Sequence, residues 1–351
     1  MLRLTIHTFY LFICILFVSC HKDVVSEQND GTVNKYIFSI IDDILVYKDN
    51  SHAAFTCLIE YEGHIYLAFR EGNSHRPTSV EEYGKLRIMK LENGKWFTVA
   101  LLSHKDMDLR DPFFLVKDET LYLFSGYNRF NKDGNYCHAG TAYSTLTQYG
   151  WSPMQNISHD VPHVIWLWKV REYQGSLYGI GYLEGEEPVL LSSKDGKQWM
   201  TVCVLGVDGV VSEADLAFVA DSVYVCLRKD SPVGSPSLWG KAMFPFTEFV
   251  WTEMDFSIAS PELHYIVDTK QMLLAGREYD LGRENIPDSI NVSLFSIDGE
   301  DISRIHVFNT GRLGDKGYPS LLFFYNKFLM SYYTGDDITE IRLAIIKMDY
   351  K

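Results

Sequence analysis

The chain has 351 residues and a formal net charge of −14, with 22% charged and 14% aromatic residues. This acidic balance argues against a nucleic-acid-binding protein, because phosphate contacts require clustered Lys and Arg that release counterions. The 22 Tyr and 21 Phe favour strands over solvent-facing helices, and no long amphipathic helical pattern is visible, so the composition indicates an all-β fold.

Residues 1–19 have the pattern of a signal peptide. Arg3 precedes the short apolar run Leu11–Phe17, and Ser19 stands directly before Cys20. The run is too short to cross a hydrocarbon layer of about 30 Å as a helix, and a small residue lies where a processing enzyme would cut. We therefore expect this segment to be removed and the protein to be exported.

The segment 17–20, Phe-Val-Ser-Cys, resembles the bacterial lipobox. That resemblance implies acylation of Cys20 and a protein lipid-anchored to the cell envelope, in the outer membrane. Ordinary secretion, with Cys20 merely near the cleavage site, is the alternative. Residues 20–35 contain almost no core-forming side chains and are typical of a solvated tether, which leaves residues 36–351 for the folded domain.

Internal repetition is the main signal in this domain. Six segments share an apolar strand, a short polar turn and a second strand: residues 53–70, 111–126, 167–182, 213–228, 261–277 and 318–333. A unit of about 50 residues with several short strands is typical of a propeller blade. The sequence therefore predicts a six-bladed β-propeller, or a five-bladed one if one repeat is misread.

Turn markers close five of the units, as in Asp195-Gly196 followed by Trp199. The sixth unit is short, whereas residues 36–46 read as a strand that lacks a partner in its own unit. We expect that strand to pair with the last blade, because an open edge strand promotes aggregation.

Cysteine and motif patterns indicate neither a metal site nor a cofactor. Cys57, Cys137, Cys203 and Cys226 form no Cys-x-x-Cys pair and lie mostly in apolar runs. They are expected to be buried thiols with at most one disulfide. No glycine-rich phosphate loop or nucleotide fingerprint is visible.

Polar and aromatic side chains concentrate at one end of the predicted hairpins. The start of the first strand and the end of the second lie together, so these positions face one opening of the ring. Burying such groups is costly unless they pair or bind a ligand, and their mixture is typical of a carbohydrate site. The candidates are Arg70, Glu71, Asp111, Trp168, Lys169, Glu213, Arg228, Glu262, Arg277, Tyr318 and Tyr332, with His75 in the loop after the first hairpin.

Residues 193–199, Ser-Lys-Asp-Gly-Lys-Gln-Trp, resemble a shortened Asp-box, the turn that recurs in sialidase-like propellers. Together with the six repeats, it makes the chain similar to the sialidase superfamily. The resemblance implies a retaining exo-glycosidase acting on an acidic sugar. In that family three arginines bind the sugar carboxylate through planar forks, and a tyrosine deprotonated by a glutamate attacks the anomeric carbon.

The resemblance implies roles for particular residues. The Gly-Tyr-Pro-Ser-Leu segment around Tyr318 is similar to the one that carries the nucleophile. Glu213, followed one strand later by Arg228, resembles the hairpin that holds the base and one arginine. Arg277 is the best candidate for the third arginine, with Arg283 in reserve.

The sequence of the first unit differs from the family pattern at two places. The family's first arginine lies in an Arg-Ile-Pro segment, and residues 51–55 contain no arginine, so Arg70 is the expected substitute. Where the family has its acid/base aspartate, the loop offers Glu71 and His75.

Two other functions remain open. One is a different glycosidase that uses carboxylates such as Asp111, Glu213 and Glu262; the Arg-Asp-Pro of residues 110–112 also resembles a motif of five-bladed glycosidases. The other is a catalytically silent, glycan-binding propeller.

The arginines also have a structural interpretation. Arg70, Arg228 and Arg277 could be the salt-bridge partners of Glu71, Glu213 and Glu262. We expect a monomer with a carbohydrate partner, an acidic glycan, and a membrane contact through the lipid anchor alone.

Overall fold

Six β-sheets form a ring in the computed structural model, which describes residues 35–231, 235–279, 290–299, 301–308, 315–335 and 338–350. The expected signal peptide, Cys20 and Arg283 lie outside these residues. Each sheet is one blade. Apart from two outermost strands that precede the rest of their blade, its strands follow one another in the chain from the innermost position outward. The ring therefore has six blades, as the repeats predict, rather than five.

Four main strands build each blade. β1 (Tyr36–Lys48) precedes blade 1 but belongs to the last blade. Blade 1 contains β2 (His52–Tyr61), β3 (His64–Gly72), β4 (Lys85–Glu92) and β5 (Lys95–Leu102). Blade 2 contains β6 (Asp108–Lys117), β7 (Thr120–Phe130), β8 (Tyr136–Thr147), β9 (Gly150–Trp151) and β10 (Gln155–Asn156). Blade 3 contains β11 (Ser158–His159), β12 (Trp166–Tyr173), β13 (Ser176–Tyr182), β14 (Val189–Ser193) and β15 (Gln198–Val204).

The remaining blades repeat this order. Blade 4 contains β16 (Val211–Val219), β17 (Ser222–Lys229), β18 (Leu238–Met243) and β19 (Val250–Glu253). Blade 5 contains β20 (Ser257–Ile266), β21 (Gln271–Tyr279), β22 (Ile290–Asp298) and β23 (Asp301–Phe308). Blade 6 contains β24 (Gly317–Phe324), β25 (Lys327–Gly335), β26 (Thr339–Tyr350) and β1. A 3-10 helix, Val80–Glu82, follows β3, and across the described ranges no helix has the length and apolarity needed to cross a membrane.

Each sequence repeat is the inner hairpin of one blade. Residues 53–70 correspond to β2 and β3, for example, and residues 318–333 to β24 and β25. The first strands of neighbouring blades pack against one another around the ring, with β24 against β2. These strands are buried along most of their length, which explains why the repeats are the apolar part of each unit.

The Asp-box-like turn has the predicted form. Asp195 Oδ1 accepts hydrogen bonds from the two backbone N–H groups after Gly196, at 2.8 and 3.0 Å. Gly196 has a φ of +74°, which favours glycine. Trp199 donates its indole N–H to the Gly196 carbonyl at 3.0 Å and packs in a core cluster that includes Phe124 of blade 2. The turn thus attaches the outer part of blade 3 to its neighbour.

β1 closes the ring as the outermost strand of blade 6. It pairs antiparallel with β26, from Tyr36 opposite Tyr350 to Lys48 opposite Glu340. An ion pair of 2.9 Å between Lys48 Nζ and Glu340 Oε2 supports the end of this ladder. The prediction that residues 36–46 supply the missing strand is confirmed.

The four cysteines of the described residues are free thiols. Cys57 and Cys226 are buried, whereas Cys137 and Cys203 are partly exposed. The expectation of buried thiols therefore holds for two of them, and no disulfide joins the four.

A bulge interrupts the innermost strand of every blade at the same level. Pairing shifts between Ala54 and Cys57 in blade 1 and between Gly317 and Ser320 in blade 6, and the other four innermost strands shift at equivalent places. A bulge leaves residues unpaired and redirects their side chains. Five of the six bulges contain a non-glycine residue with positive φ: Phe55, Asp111, Lys169, Ser260 and Tyr318.

Removing β1 is expected to open the ring. A chain that begins after residue 48 exposes the edge of β26, and an unpaired edge recruits other strands. We expect this chain to aggregate in size-exclusion chromatography and to lose its cooperative thermal transition. The matched control begins at residue 35, keeps β1 and should remain monodisperse. A soluble, cooperatively folding chain without β1 would show that the closure is dispensable.

Candidate functional site

Three residues predicted to be catalytic lie in the innermost-strand bulges. Asp111 and Tyr318 have φ values of 46° and 49°, although each precedes a proline, which normally favours extended backbone. Glu213 lies in the bulge of β16. A non-glycine residue in the left-handed region costs about 1–3 kcal/mol and often marks a functional site. The bulges bring residues from blades 2, 4 and 6 together.

Tyr318 and Glu213 form a direct hydrogen bond. Tyr318 Oη donates to Glu213 Oε1 at 2.5 Å. The other carboxylate oxygen, Oε2, accepts from Arg228 Nη1 at 2.8 Å and from the backbone N–H of Ser260 at 2.6 Å. Glu213 is 3% exposed, so these bonds form away from bulk water. This is the arrangement of a hydroxyl nucleophile and its base.

Arg277 lies over the ring of Tyr318. Its guanidinium carbon is 5.5 Å from the ring centroid. Its Nη2 is 3.2 Å from Asp315 Oδ1 and donates to the hydroxyl of Tyr333 at 2.9 Å. Both contacts fix the plane of the guanidinium beside the candidate nucleophile.

Arg228 and Arg277 each use only part of the guanidinium group in contacts with other described residues. Arg228 binds Glu213 through Nη1 and lies 2.6 Å from Asp230 Oδ1 through Nε. Arg277 uses Nε and Nη2. Among the described residues, neither Arg228 Nη2 nor Arg277 Nη1 has a hydrogen-bond partner. Two rigidly held guanidinium groups therefore retain donors for an anionic ligand.

Burial keeps Tyr318 protonated at rest. It raises the pKa of Tyr318 well above the usual value, and the charges of Glu213 and Asp111 raise it further against the opposing effect of Arg277. Burial by itself would also raise the pKa of Glu213, but Arg228 and the Tyr318 hydroxyl outweigh it and the pKa is lowered. The pair is thus a neutral phenol beside an ionised carboxylate that is placed to take its proton.

Asp111 is a buried carboxyl of a different kind. It is 8% exposed, and its Oδ1 has no hydrogen-bond partner among the described residues. Burial raises the pKa of Asp111 to about 7, with a contribution from the charge of Glu213, while Arg110 opposes the shift. Since an unperturbed aspartate has a pKa of about 3.9, Asp111 carries a proton at mildly acidic pH whereas Glu213 is ionised.

His75 bridges two charged side chains. Its Nδ1 contacts Asp315 Oδ2, and its Nε2 lies 3.1 Å from Arg110 Nη2. Because a guanidinium can only donate, Nε2 is the acceptor and Nδ1 carries the hydrogen that is donated to Asp315. Burial lowers the pKa of His75, as does Arg110, against the opposing effect of Asp315. His75 is therefore a neutral imidazole in one tautomer.

His52 contacts the same carboxylate. Its Nε2 is 2.7 Å from Asp315 Oδ2, so ligand-type atoms of His52, His75 and Asp315 lie within 4.8 Å of one another. The sequence indicated no metal site, yet these are zinc-type donors. A metal on Nδ1 of His75 would require a hydrogen on Nε2, facing the donor of Arg110. The residues therefore fit a hydrogen-bonded cluster around Asp315 better than a metal site.

Arg70 and Glu71 are directed away from this cluster. Arg70 is 0% exposed, and its Nη2 lies 2.9 Å from Asp108 Oδ1. The backbone closes over its guanidinium, since a Cβ on Gly84 would lie 2.3 Å from Nε. Glu71 Oε2 lies 2.5 Å from Arg87 Nε. Contrary to the expected substitution for the family's first arginine, Arg70 offers no open face to a ligand.

Lys169 and Glu262 pair with each other inside the ring. Lys169 Nζ contacts Glu262 Oε2. Arg171, also on β12, donates to Asp215 from Nε at 3.0 Å and from Nη2 at 2.5 Å. Glu262 Oε1 accepts the backbone N–H of Leu321 at 3.2 Å. These bonds join blades 3 to 6, so the two residues predicted to bind substrate are engaged in the scaffold.

Trp168 packs beside Tyr318 with ring centroids 5.4 Å apart. It is 3% exposed and belongs to an aromatic cluster with Trp166 and Tyr182. A small cavity lies here, and its lining includes Phe55, Asp111, Phe113, Trp168, Lys169 and Tyr318. The structure therefore brings Trp168 and Asp111 to one cavity at the candidate nucleophile.

Arg110 and Asp315 belong to the site, although no sequence pattern indicated them. Arg110 lies over the ring of Phe55, with the guanidinium carbon 4.7 Å from the centroid. Their closeness in sequence to predicted site residues could have suggested them, because Arg110 directly precedes Asp111 and Asp315 lies three residues before Tyr318. Neither position reveals the contacts that cross between blades.

The strand end in blade 6 was predicted one residue out of place. Tyr332 was expected at the opening, but its hydroxyl donates to Asp43 at 2.7 Å on the outer side of the blade. Tyr333, opposite Gly317 in the ladder, contacts Arg277 instead. A shift of one residue reverses the face of a strand.

No protein-family model and no curated protein sequence matches the chain, but solved structures do. Trypanosoma rangeli sialidase matches with a TM-score of 0.61 and 13% identity, over 85% of this chain and 55% of that one. Its complex with sialic acid matches with a TM-score of 0.61 and 11% identity, over 88% and 58%. NanB sialidase from Streptococcus pneumoniae matches with a TM-score of 0.60 and 8% identity, over 86% and 70%.

The chain spans 55% to 58% of the length of the T. rangeli structures. At such low identities the likeness identifies an architecture rather than an activity, because one fold supports many functions. The chain has a sialidase-like, six-bladed β-propeller fold.

Proposed function

We propose that the protein is an exo-acting glycoside hydrolase that releases an acidic sugar by a retaining mechanism. The observation that carries the proposal is the 2.5 Å hydrogen bond from Tyr318 Oη to Glu213 Oε1, beside the open ends of Arg228 and Arg277. A solved structure of similar fold contains a sialidase in complex with sialic acid, which supports an acidic monosaccharide as the class of ligand.

The proposed reaction has two steps. Tyr318 Oη attacks the anomeric carbon, its proton passes to Glu213, and the bond to the leaving oxygen breaks as that oxygen takes a proton from solvent water. Water then attacks the anomeric carbon and gives up a proton to solvent, the bond to Tyr318 breaks, and Glu213 returns its proton to the phenolic oxygen. A neutral phenol avoids the repulsion that a carboxylate nucleophile would meet beside an acidic sugar.

Arg228 and Arg277 are the proposed contacts of the sugar's acidic group. Each guanidinium is fixed by other partners and has a free terminal nitrogen within the described part of the chain. In blade 1 the bulge contains Phe55 instead of an arginine, and Arg70 forms a buried ion pair with Asp108. A carboxylate therefore meets two open guanidinium groups rather than three.

Tyr318→Phe should abolish turnover and preserve binding. The change removes the nucleophilic oxygen and leaves the ring, so we expect kcat to fall by several orders of magnitude while the affinity for an acidic monosaccharide stays within a few-fold. Isothermal titration and hydrolysis of an aryl glycoside measure the two effects. Tyr325→Phe, at a tyrosine that is 83% exposed, is the matched control. Substantial turnover by Tyr318→Phe would exclude this nucleophile.

Arg228→Ala should weaken the binding of acidic sugars selectively. Loss of a charge-assisted contact costs about 2–5 kcal/mol, and a neutral analogue of the same sugar should lose much less. The control is Arg304→Ala, at an exposed arginine paired with Glu278. Equal losses for the acidic and the neutral sugar would argue against an anion contact at Arg228.

A carboxylate-pair glycosidase is the second candidate, because the pKa of Asp111 is raised to about 7 while that of Glu213 is lowered. Carboxyls with separated pKa values are typical of an acid and its partner base. Turnover would then fall as pH rises through about 7, when Asp111 loses the proton it must donate. Asp111→Asn would remove turnover and with it this pH dependence, whereas Tyr318→Phe would remain active.

Sugar binding without turnover in the unmodified protein would favour the silent propeller.

We also propose that the exported protein is lipid-anchored through Cys20, which the lipobox resemblance of residues 17–20 supports. Cys20→Ser should move the protein from the detergent phase to the aqueous phase in phase partitioning, because the acyl chains are lost. Cys137→Ser, at a free thiol of blade 2, should partition like the unmodified protein. Unchanged membrane association of Cys20→Ser would refute the anchor.

A further inference from the structure

The backbone of Tyr318 is bound by hydroxyl groups from both neighbouring blades. Tyr318 lies in the bulge of blade 6, outside the paired positions of the β24–β25 ladder. Its N–H donates to Ser260 Oγ of blade 5 at 3.1 Å, and its carbonyl accepts from Thr56 Oγ1 of blade 1 at 2.8 Å. The candidate nucleophile is therefore held on both sides of its Cα from outside its own blade.

These two hydrogen bonds oppose a local preference of the chain. Tyr318 has a φ of 49°, although it precedes Pro319, and a residue before proline normally adopts extended backbone. Such a conformation persists only where the surrounding structure holds it. Ser260 and Thr56 are both buried, and Thr56 Oγ1 accepts in turn from the Ser331 hydroxyl at 2.8 Å. The two hydrogen bonds thus restrain the backbone from which the Tyr318 side chain extends.

Ser260 also holds the proposed base. Its backbone N–H donates to Glu213 Oε2 at 2.6 Å, while its hydroxyl oxygen accepts from the N–H of Tyr318. Ser260 itself lies in the bulge of blade 5, with a φ of 46°, and precedes Pro261. One residue of blade 5 therefore contacts both the carboxylate from blade 4 and the nucleophile from blade 6.

We propose that Ser260 and Thr56 are positioning residues that hold the Tyr318 hydroxyl at hydrogen-bond distance from Glu213. This inference rests on the proposed function, because it assigns both residues to the step in which Tyr318 attacks. Attack and proton transfer each require a short, aligned contact, and a displacement of about 1 Å costs about two orders of magnitude in rate. Loss of either hydroxyl should therefore lower kcat and leave sugar binding nearly unchanged.

The kinetic test compares Ser260→Ala and Thr56→Val with the unmodified protein. Ser260→Ala keeps the backbone N–H that binds Glu213, and Thr56→Val keeps the shape of the side chain. The probes are the nitrophenyl glycosides of N-acetylneuraminic acid, glucuronic acid and galacturonic acid. We expect kcat to fall about 10- to 100-fold in each variant, while the Kd of the free sugar, measured by isothermal titration, stays within a few-fold. Thr56→Ser keeps the hydroxyl and should retain kcat.

Two further variants separate positioning from stability. Ser144→Ala removes a buried hydroxyl that donates to the Ser152 carbonyl at 2.6 Å. It should keep kcat even where its Tm falls as far as that of Ser260→Ala. In the chain that carries both Ser260→Ala and Thr56→Val, kcat should fall by less than the product of the two single reductions, because both changes release the same residue.

A second readout does not depend on turnover. Tyrosine that is isotope-labelled at Cζ gives an NMR resonance for Tyr318, assigned by its loss in Tyr318→Phe, which reports whether the phenol donates to a carboxylate. We expect this resonance to move toward the position of a free phenol in Ser260→Ala and in Thr56→Val. It should stay unmoved in Thr56→Ser and in Ser144→Ala.

The outcomes separate the positioning role from the proposed function. If a glycoside is hydrolysed but Ser260→Ala and Thr56→Val leave kcat and the Tyr318 resonance unchanged, the positioning role is overturned while the proposed function stands. If none of the three glycosides is hydrolysed, the proposed function is overturned, and the Tyr318 resonance decides whether the hydroxyls hold the phenol against Glu213.

Two other results would also overturn the positioning role. One is a fall in kcat that Ser144→Ala shares at an equal loss of Tm. The other is a Kd for the free sugar that weakens as much as kcat falls. If either Ser260→Ala or Thr56→Val does not fold, the other variant still supplies the test, because the two hydroxyls come from opposite neighbouring blades.

Discussion

The bulge in each innermost strand is the constraint on which the candidate site depends. Side chains of a regular strand alternate between the two faces of its sheet, whereas a bulge turns an extra residue out of that alternation. Asp111 and Tyr318 adopt positive φ at these points, and Glu213 lies at the equivalent place in blade 4. The backbone cost of about 1–3 kcal/mol for Asp111 and for Tyr318 must be offset by the surrounding ring, which β1 closes.

Buried charge is used in two ways in this ring. Lys169 and Glu262 are paired, and Asp215 and Glu262 each accept a backbone N–H as well. Such complete pairing offsets the desolvation of charges and joins blades. In contrast, Arg228 and Arg277 keep free donors among the described residues, and Asp111 keeps an unpaired oxygen. A donor or acceptor without a partner marks a side chain that can bind a ligand. A side chain whose hydrogen bonds and ion pairs are all used within the ring stabilises the scaffold instead.

Blade 1 is where the structure departs from what the family resemblance of the sequence implied. Phe55 occupies its bulge, and Arg70 is bound to Asp108 beneath a closed backbone. The nearby loop contributes His75, a neutral imidazole held between Asp315 and Arg110. The architecture is thus shared with solved sialidases, whereas the contacts on this side of the pocket were not implied by the resemblance. Such a difference is expected where a common fold supports different sites.

The six repeats, the ring closure and the Asp-box-like turn followed from the sequence, because hydrophobic alternation and turn residues act over a few positions, whereas the choice of six blades over five came from the structure. Hairpin geometry also placed Tyr318 and Glu213 near one opening. Ion-pair partners were decided only by the tertiary structure: Arg228 binds Glu213 as one interpretation predicted, but Arg70 binds Asp108 and Arg277 contacts Asp315. Those contacts depend on distances between blades and on single-residue register, and neither is encoded in any local pattern along the chain.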